Sequence, residues 1–396
     1  MDMNGYFASV EQHLRPELRG YAVGIIPVES KNTCVIAASY DAKRCGVKTG
    51  TRVRDARQLC PEIVLVKARP NLYVQIHHAI LRSVDQCAPV HKVYSIDEWA
   101  IRLLGDERKP DMAAALGRHI KQQLLHDFSP WLTCSIGIAP TRLLAKIACE
   151  LQKPDGLTVL DISELPDRLD HLSLDDLCGI GQGMLARLNR HGVRSVRDLW
   201  AISRQRAIQV WGSVSGGNWW AGFHGFDEPE PSTRRRSMSH ANVLDPIFRN
   251  EEGAYGIMVR LLCKLGVRLR HEGYFAHYLR VYQTDVRGGG WREEIALPCV
   301  QDTTTLLEKF QKLWRQRSRG GNPPIKIGVE VAGLVPAAQV PQSLFDGMEK
   351  LRSVSRAVDQ INRRWGAAAI HFGSMQGFHH PMDDKIAFGR IPPEIQ

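Results

Sequence analysis

The segment Val93–Glu98 constrains the fold of this chain more than any other part of the sequence. An apolar, β-like run ends there in two adjacent carboxylates, Asp97 and Glu98. Successive side chains of a strand point to opposite faces, so two neighbouring carboxylates that act together require a bend or a hairpin tip. An Asp-Glu pair of this kind is often only a solvated turn. The sequence therefore predicts a hairpin whose tip presents both carboxylates, either to solvent or to a cation.

Two further segments combine polar groups with aromatic or basic residues. Near the N-terminus, Asp2 precedes the turn-forming pair Asn4-Gly5, and the adjacent aromatics Tyr6 and Phe7 then open a predicted helix. Residues 39–50 form a basic stretch that also carries an aromatic ring and two glycines. Taken singly, these segments are equally consistent with an ordinary helix start and an ordinary basic surface turn.

Residues 1–157 mix short apolar β-rich runs with amphipathic helical segments, which indicates an α/β or α+β layer. Strands are predicted at Cys34–Ala37, Ile63–Val66 and Leu132–Ile138, and helices at Leu72–Val84 and Met112–Leu125.

Residues 158–226 have the pattern of a small helical region. The predicted helices are Leu165–Leu169, Leu174–Leu177, Met184–His191, Val196–Ala201 and Arg204–Trp211. Residues 227–233 then carry two prolines among polar residues, which cannot continue a helix, so we predict a linker there.

Residues 237–335 alternate again and predict a second α/β layer. Its predicted elements are the helices Glu252–Glu272 and Thr304–Arg315 and the strands Tyr278–Tyr282, Glu294–Leu297 and Ile325–Val331. A loop that begins at Pro336 and a helix at Met348–Trp365 are predicted beyond this layer.

The formal net charge of +10 favours a polyanionic partner, because each neutralised phosphate releases condensed counterions. The nine cysteines include no C-x-x-C pair, which argues against a zinc site or a disulfide framework. No apolar run approaches the roughly 18 residues of a membrane helix. The N-terminus lacks the basic-then-apolar pattern of a secretory signal. We therefore expect a cytoplasmic protein with no membrane partner.

Taken together and in this order, the segments around Asp2, residues 39–50 and Asp97 closely resemble the Y family of DNA polymerases, the translesion, SOS-type enzymes of the ImpB-MucB-SamB kind. The resemblance covers nearly the whole chain. It implies a template-directed, low-fidelity DNA polymerase that transfers deoxynucleotides to a primer 3′-hydroxyl in the DNA damage response.

The same resemblance implies an α+β multidomain, right-hand polymerase with a ferredoxin-like palm, small fingers, a helical thumb with a helix-hairpin-helix, and an α/β little finger. The implied boundaries are residues 1–10 and 65–157 for the palm, 11–64 for the fingers, 158–228 for the thumb, 236–335 for the little finger and 336–396 for a C-terminal extension.

In the family, an N-terminal aspartate and the Ser-Ile-Asp-Glu carboxylates bind two magnesium ions. These positions match Asp2, Asp97 and Glu98, with the Met3 carbonyl as a further expected ligand. Two Mg²⁺ ions suit hard oxygen ligands and an in-line phosphoryl displacement. Asn4 stands where many members carry a second aspartate, although the SOS-type branch also accepts asparagine.

The resemblance also implies which residues bind the nucleotide. The matching positions are Tyr6, Phe7, Tyr40, Lys43, Arg44 and Lys153. Phe7 occupies the position of the steric gate, the aromatic ring that excludes a ribose 2′-hydroxyl. The usual pattern has arginine where this sequence has Lys43, and lysine supplies a point charge without a bidentate fork.

DNA contacts are expected at two places. The glycines Gly179, Gly181 and Gly183, followed by the predicted helix Met184–His191, resemble a helix-hairpin-helix turn that lets backbone N–H groups approach a phosphate. The segment Arg234, Arg235, Arg236 and Ser237 resembles the strand with which the little finger grips the DNA backbone. A plain glycine turn and a charged linker are the simpler interpretations.

Gln342, Leu344 and Phe345 resemble the short peptides that dock bacterial replication proteins on the sliding clamp, although the spacing is one residue shorter than the commonest form. A sliding clamp is thus an expected partner, beside primer-template DNA and deoxynucleoside triphosphates.

Family members have an apolar strand before the first aspartate, whereas Asp2 here is the second residue. A free α-amino group, with a pKa of about 7.7–8.0, would also lie close to the metal ions and repel them. We therefore expect the natural protein to begin several residues upstream.

Three alternatives stay open at this stage. A catalytically silent scaffold would not require three carboxylates at metal-binding positions. A nucleotidyl cyclase would need Gly-Gly before its acidic pair, where this chain has Ser95-Ile96. A two-metal nuclease would need a group that positions an attacking water, and the sequence indicates none.

Overall fold

The computed structural model describes residues 1–30, 33–229, 234–317, 322–341, 346–366, 369–378 and 391. The chain divides into two compact units, Met1–Glu230 with Asp383–Gln396, and Pro231–Met382. Within the described ranges, no helix has both the length and the apolar character needed to cross a bilayer.

The first unit contains eight strands and ten helices among its described residues. The strands are β1 (Asp2–Met3), β2 (Val23–Ile26), β3 (Ala37–Ala38), β4 (Val64–Lys67), β5 (Val90–Val93), β6 (Trp99–Ile101), β7 (Cys134–Ile138) and β8 (Leu157–Val159). The helices are α1 (Tyr6–Leu14), α2 (Tyr40–Arg44), α3 (Val53–Leu59), α4 (Pro70–Cys87), α5 (Pro110–Asp127), α6 (Arg142–Leu151), α7 (Gln182–Arg190), α8 (Val196–Ala201), α9 (Arg204–Trp211) and α10 (Val214–Phe223).

The main sheet of this unit has three strands in the order β1-β7-β8. β1 pairs antiparallel with β7, which pairs parallel with β8, and a bridge from Asp2 to Glu98 connects β1 to the β5–β6 hairpin. A core of buried side chains from α1, α4 and α5 packs against this sheet, with Tyr73 and Trp99 among its largest members. Gly137 of β7 allows α6 to approach, because a Cβ there would collide with the Ala145 carbonyl.

A smaller sheet, β3-β2-β4, lies in the segment predicted as fingers, where β2 pairs antiparallel with β3 and parallel with β4. The predicted strand Cys34–Ala37 is wrong in its extent. Val35 exchanges backbone hydrogen bonds with Gly50 and Thr51 of the next loop, so only Ala37–Ala38 pairs with β2 as a strand. Strand Val64–Lys67 and helix Pro70–Cys87 confirm the neighbouring predictions.

The helical region after β8 differs from its prediction in two respects. The helices expected at Leu165–Leu169 and Leu174–Leu177 are single 3-10 turns, Ile162–Glu164, Asp167–Leu169 and Leu174–Asp176. Pro166 lacks an N–H and disfavours helical geometry in the residue before it, which explains the interruption.

Helix α10 was not predicted, because glycine is a poor helix former and this segment carries three. Gly216 is required there by packing, since a Cβ would collide with the Ala207 carbonyl of α9.

The second unit packs helices against one antiparallel sheet. Its elements are β9 (Ser237–Val243), α11 (Glu251–His271), β10 (Tyr274–Asp285), β11 (Gly290–Val300), α12 (Thr303–Gln316), β12 (Pro324–Ala332), β13 (Val335–Pro336) and α13 (Asp346–Trp365). The strand order is β11-β10-β12-β9, with β13 on β10. Asn250 caps α11 by accepting the Gly253 N–H at 2.7 Å. The helices and strands predicted for residues 237–335 are confirmed.

Candidate active site

Asp2 lies on β1, between strand β7 and the β5–β6 hairpin. On one side it pairs with Ser135 of β7, and on the other it bridges to Glu98. The chain turns at Gly5, whose φ of 56° is a left-handed conformation that glycine adopts without steric cost, and α1 begins at Tyr6. The turn and helix start predicted from Asn4-Gly5 are confirmed.

Asp97 and Glu98 lie in the turn between β5 and β6. The Tyr94 N–H donates to the Glu98 carbonyl at 2.9 Å, which closes the hairpin, and the Ser95 hydroxyl donates to Asp97 Oδ1 at 2.6 Å. The Met3 N–H donates to the Asp97 carbonyl at 2.8 Å and ties this turn to β1. The predicted bend is therefore confirmed, and it brings the two carboxylates beside Asp2.

Two lysines, one on α6 and one just after it, pair with Asp2 and Glu98. Lys146 on α6 contacts Asp2 and lies 3.5 Å from Glu98, while Lys153 Nζ donates to Asp2 Oδ1 at 2.6 Å. Glu150 bridges the two ammonium groups, at 3.1 Å from Lys146 and 2.7 Å from Lys153. The cluster is thus a small alternating network of three carboxylates and two ammonium groups beside β1.

Burial and these charges shift the titration of the cluster. Burial alone would raise the pKa of Asp2, but the ammonium groups of Lys146 and Lys153 outweigh it and lower that pKa. Burial raises the pKa of Asp97 despite the Ser95 hydroxyl, and the charge of Asp2 raises it further. The carboxylates oppose burial at Lys146 and raise its pKa. The arrangement therefore favours ionised Asp2 and makes a second negative charge on Asp97 unfavourable unless a cation lies close by.

The residues present fit a divalent cation by their chemistry. The donors are carboxylate oxygens, the ligands that Mg²⁺ prefers, and a positively charged group, the Lys146 ammonium, already lies between two of them. In the part of the chain that the structure describes, no three histidine, cysteine, aspartate or glutamate side chains converge closely enough to hold an ion. An ion held by both Asp2 and Glu98 would have to displace the Lys146 ammonium.

The basic segment predicted to bind the triphosphate forms α2. Ser39 caps this helix, and the Lys43 ammonium lies 4.1 Å from the centre of the Tyr40 ring. Burial lowers the pKa of Lys43, and the nearby charge of Lys153 lowers it further. Arg44 instead pairs with Asp41, and its side chain is 76% exposed. The structure therefore brings Tyr40, Lys43 and Lys153 toward the carboxylates and leaves Arg44 outside the group.

Tyr6 and Phe7 both lie on the first turn of α1. Tyr6 is buried, and its hydroxyl donates to the Tyr73 carbonyl at 2.7 Å. Phe7 is half-buried and stacks on the Tyr73 ring, with 4.5 Å between centroids and 14° between planes. Phe7 is thus the aromatic ring that the start of α1 presents most openly.

Of the glycines of the predicted helix-hairpin-helix, Gly179 and Gly181 lie in an exposed loop before α7, and Gly183 lies in the first turn of this helix. Gly179 has a φ of 92°, in the left-handed region, and the Trp219 indole donates to the Cys178 carbonyl at 3.1 Å beneath it. Gly181 caps α7, and a Cβ at Gly181 or Gly183 would meet nothing within 4 Å. This open surface at a helix N-terminus suits the approach of a phosphate.

In the second unit, the predicted DNA-binding segment Arg234, Arg235, Arg236 and Ser237 is exposed and leads into the edge strand β9. Arg235 pairs with Glu272, the residue that follows α11. The predicted clamp-binding residues Gln342, Leu344 and Phe345 lie outside the described residues.

Sequence reasoning missed Lys146 altogether. Lys146 lies within α6, whereas Lys153 follows the end of this helix, so no helical spacing relates the two lysines and no local pattern marks Lys146. It also missed Glu11, a fully buried carboxylate on α1, which an amphipathic helix pattern does not distinguish from an exposed one.

Comparisons with known proteins agree with this architecture. Residues 1–150 match the impB/mucB/samB family, and residues 235–344 match its C-terminal domain. DNA polymerase IV of Moorella thermoacetica is 32% identical over 93% of this chain and 94% of the relative. DNA polymerase IV of Pelotomaculum thermopropionicum is 29% identical, over 93% and 92% respectively. Among solved structures, a Y-family DNA polymerase chimera of Dbh and Dpo4 matches with a TM-score of 0.67 at 22% identity, over 85% of this chain and 98% of that one.

The fold therefore defines a right-hand polymerase, as the resemblance implied. More narrowly, the chain belongs to the impB/mucB/samB family of Y-family DNA polymerases. The recognition made from the three ordered sequence segments is confirmed.

Proposed function

We propose that this chain is a DNA-directed DNA polymerase that carries out low-fidelity translesion synthesis in the DNA damage response. The observation that carries the proposal is that the turn with Asp97 and Glu98 is hydrogen-bonded beside Asp2, and that Asp2 and Glu98 share the Lys146 ammonium. Relatives that align over more than nine-tenths of their length are named DNA polymerase IV, which supports the same activity.

Two Mg²⁺ ions are the cofactors we propose, held by the carboxylates of Asp2, Asp97 and Glu98 and by the Met3 carbonyl. When bound, the ions would lower the pKa of the primer 3′-hydroxyl and neutralise charge on the triphosphate. The Ser95 hydroxyl holds the Asp97 carboxylate in place through its 2.6 Å hydrogen bond. The Asp2 carboxylate is kept ionised by Lys146 and Lys153, as its lowered pKa indicates.

Lys43 and Lys153 bind the incoming triphosphate in this proposal, and Tyr40 orients it. The Lys43 ammonium lies over the Tyr40 ring, so this tyrosine limits where the positive charge can move. Lys153 contacts Asp2 and Glu150, which places its ammonium at the edge of the carboxylate cluster. Arg44 stays a predicted nucleotide contact that would need to leave Asp41.

The Phe7 ring selects deoxynucleotides in this proposal. It is half-buried on the first turn of α1, four residues beyond Met3. A ring in van der Waals contact with the sugar leaves no room for an added 2′-hydroxyl, whereas a 2′-hydrogen fits. Tyr6 is buried and supports the helix start through its hydrogen bond to the Tyr73 carbonyl, and its contact with the nucleotide stays a prediction.

Primer-template DNA is the proposed partner of two surfaces. The open N-terminus of α7, with Gly179, Gly181 and Gly183, would contact a backbone phosphate through N–H groups. The exposed segment from Arg234 to Ser237 would contact further phosphates by charge. Three further expectations stay predictions. They are the docking of Gln342, Leu344 and Phe345 on a sliding clamp, the division into palm, fingers, thumb and little finger, and a cytoplasmic location.

Primer extension tests the proposed function. With Mg²⁺ and deoxynucleotides, on undamaged and abasic templates, we expect the parent chain to extend a primer. Asp97→Asn should lower the rate at least about 100-fold, or ~2.7 kcal/mol, because it removes an anionic metal ligand without changing the side-chain volume. Asp106→Asn is the matched control, since Asp106 is 82% exposed and pairs with Lys109 on the surface.

Fluorescence anisotropy with labelled primer-template separates binding from chemistry. We expect Asp97→Asn to bind DNA as the parent does while failing to extend it. A parent chain that binds DNA but extends no primer under any of these conditions would favour the scaffold over the polymerase.

A further inference from the structure

The ring of Phe7 is held against a second aromatic ring inside the first unit. Phe7 stacks on Tyr73 of α4 at 4.5 Å between centroids, nearly parallel at 14°. Tyr73 is 1% exposed, so it forms a fixed wall behind the half-buried Phe7. Any movement of the Tyr73 ring would therefore be transmitted to Phe7, because buried side chains are close-packed.

Tyr73 is fastened at both ends to the helix that carries Phe7. Its hydroxyl donates to Glu11 Oε1 at 2.9 Å, and its carbonyl accepts the Tyr6 hydroxyl at 2.7 Å. Glu11 lies one helical turn after Phe7 on α1, so both side chains face α4. Burial raises the pKa of Tyr73, which keeps its hydroxyl protonated and able to donate.

Glu11 is in turn held by arginine. Its side chain is 0% exposed, and Arg69, the residue before α4, donates Nε to Glu11 Oε1 at 3.0 Å and a second N–H to Oε2. Arg15 approaches Glu11 at 3.5 Å from the next turn of α1. A carboxylate buried this completely is retained only where charged donors compensate its lost hydration. The bidentate geometry of Arg69 also fixes its orientation.

We propose that Glu11, Arg69 and the Tyr73 hydroxyl are positioning residues for Phe7 and set how strongly the enzyme discriminates against ribonucleotides. The proposal rests on the proposed function of Phe7 as the gate. The two sugars differ by one oxygen atom, so exclusion depends on the ring position to a fraction of an ångström. A Phe7 ring stacked on a tethered partner cannot retreat by that distance, whereas one stacked on an untethered ring can.

The decisive variant is Tyr73→Phe, which removes one hydroxyl and keeps the stacked ring. Glu11→Gln, which keeps the side-chain shape but removes the charge that holds Arg69, is the second variant. The measurement is kcat/KM for a deoxynucleotide divided by kcat/KM for the matching ribonucleotide, from single-nucleotide insertion. This ratio does not depend on the fraction of folded enzyme. We expect it to fall about tenfold in each variant, through faster ribonucleotide insertion.

Two control variants accompany Tyr73→Phe and Glu11→Gln, one expected to lower the ratio further and one expected to leave it unchanged. Phe7→Ala removes the ring itself and should lower the ratio further than Tyr73→Phe. Asp359→Asn breaks a comparable bidentate pair in the second unit, where Asp359 accepts from Arg270 at 2.6 and 2.7 Å, and should leave the ratio at the parental value.

Parental ratios in both Tyr73→Phe and Glu11→Gln, beside a lowered ratio in Phe7→Ala, would overturn the proposal and leave the proposed function intact. A parental ratio in Phe7→Ala would overturn the gate and the positioning proposal together. A parent chain that extends no primer at all would overturn the proposed function, and this proposal with it.

Discussion

At the scale of single residues, Lys146 governs the charge balance of the carboxylate cluster. Its ammonium contacts Asp2 and lies 3.5 Å from Glu98, so it offsets negative charge that a divalent ion would also offset. We expect Lys146→Met to lower the free energy of unfolding in EDTA by about 3 kcal/mol, because it leaves buried carboxylates uncompensated. Mg²⁺ should then raise the melting temperature of this variant more than that of the parent, since the ion no longer displaces an ammonium group.

Thermal denaturation with EDTA and with Mg²⁺ checks this prediction. Lys121→Met is the matched control, because Lys121 is similarly buried but binds Asp155 and two carbonyls away from the carboxylates. It should be destabilised equally in both conditions. An identical Mg²⁺ response in Lys146→Met and the parent would show that the ammonium and the ion do not compete.

His77, which binds the hairpin that carries Asp97, makes the stability of the protein depend on pH. Its Nδ1 donates to the Ile96 carbonyl at 2.7 Å, and burial lowers the pKa of His77 to about 4. A histidine in the unfolded chain titrates near 6.5, so the unfolded state takes up the proton first as the pH falls. Stability is therefore complete above about pH 6.5 and is lost between about pH 6.5 and 4, by up to ~3 kcal/mol.

Urea denaturation at about pH 7.5 and about pH 5 measures the effect. The parent should lose more unfolding free energy on acidification than His77→Gln, which carries no titrating ring. His191→Gln, at an exposed position, should lose as much as the parent. Equal losses in the parent and His77→Gln would contradict the assignment.

The candidate site was predictable where its residues lie in short segments and unpredictable where they meet through the fold. Asp97 and Glu98 are neighbours after a strand-like run, so the hairpin that joins them follows from the sequence. Glu11 and Arg69 are 58 residues apart, and neither position is distinctive by itself. Their pairing depends on how α1 packs on α4, which no local pattern specifies.

At the scale of elements, the N-terminus of α7 both caps the helix and is proposed to bind a DNA phosphate. A single substitution at Gly181 can separate these two roles. Gly181 caps the helix with φ −89° and ψ 176°, a conformation open to any residue, and a Cβ there meets nothing within 4 Å. We expect Gly181→Asp to keep or slightly raise stability, by a few tenths of a kcal/mol, because aspartate is a good N-cap. The same variant should bind primer-template about tenfold more weakly, since its carboxylate repels the phosphate.

Gly181→Asn is the matched control, because asparagine caps a helix equally well without the charge. It should match Gly181→Asp in melting temperature and the parent in DNA affinity by fluorescence anisotropy. Equal affinity for DNA in all three proteins would remove this helix end from the DNA interface.

The elements that sequence reasoning missed are those whose geometry is imposed by a neighbour. α10 forms although it contains Gly216 and Gly217, because those glycines let it pack closely on α9. The apolar residues from Cys34 to Ile36 do not extend β3, because the loop at Gly50 and Thr51 takes the hydrogen bonds of Val35. Long amphipathic helices such as α4, α5 and α11 were predicted to within three residues, since their burial pattern repeats over several turns.

At the scale of the whole molecule, the sequence predicted the domain boundary but not the residues that contact a partner. The prolines of residues 227–233 predicted a linker, and the boundary between the two compact units lies between Glu230 and Pro231. The net charge of +10 predicted a polyanionic partner but could not say which residues contact it. That assignment depends on exposure and on which arginines already have an acidic partner.

The arginine segment at the start of the second unit allows the number of phosphate contacts in DNA binding to be predicted. Arg234, Arg235 and Arg236 are all exposed, but Arg235 pairs with Glu272, whose side chain is 11% exposed. Each phosphate contact contributes about −0.9 to the slope of log K against log salt concentration. We expect the double variant Arg234→Ala/Arg236→Ala to make that slope shallower by about 2, without a preference among DNA sequences.

Arg235→Ala should change the slope by less than about 0.5, because this guanidinium already pairs with Glu272. Anisotropy titrations of primer-template across a range of salt concentrations measure all three proteins. A full unit of change in Arg235→Ala, with none in the double variant, would mean that Arg235 exchanges Glu272 for a phosphate on binding. The ion pair would then be a latent DNA contact, and Glu272→Gln should raise the affinity for DNA.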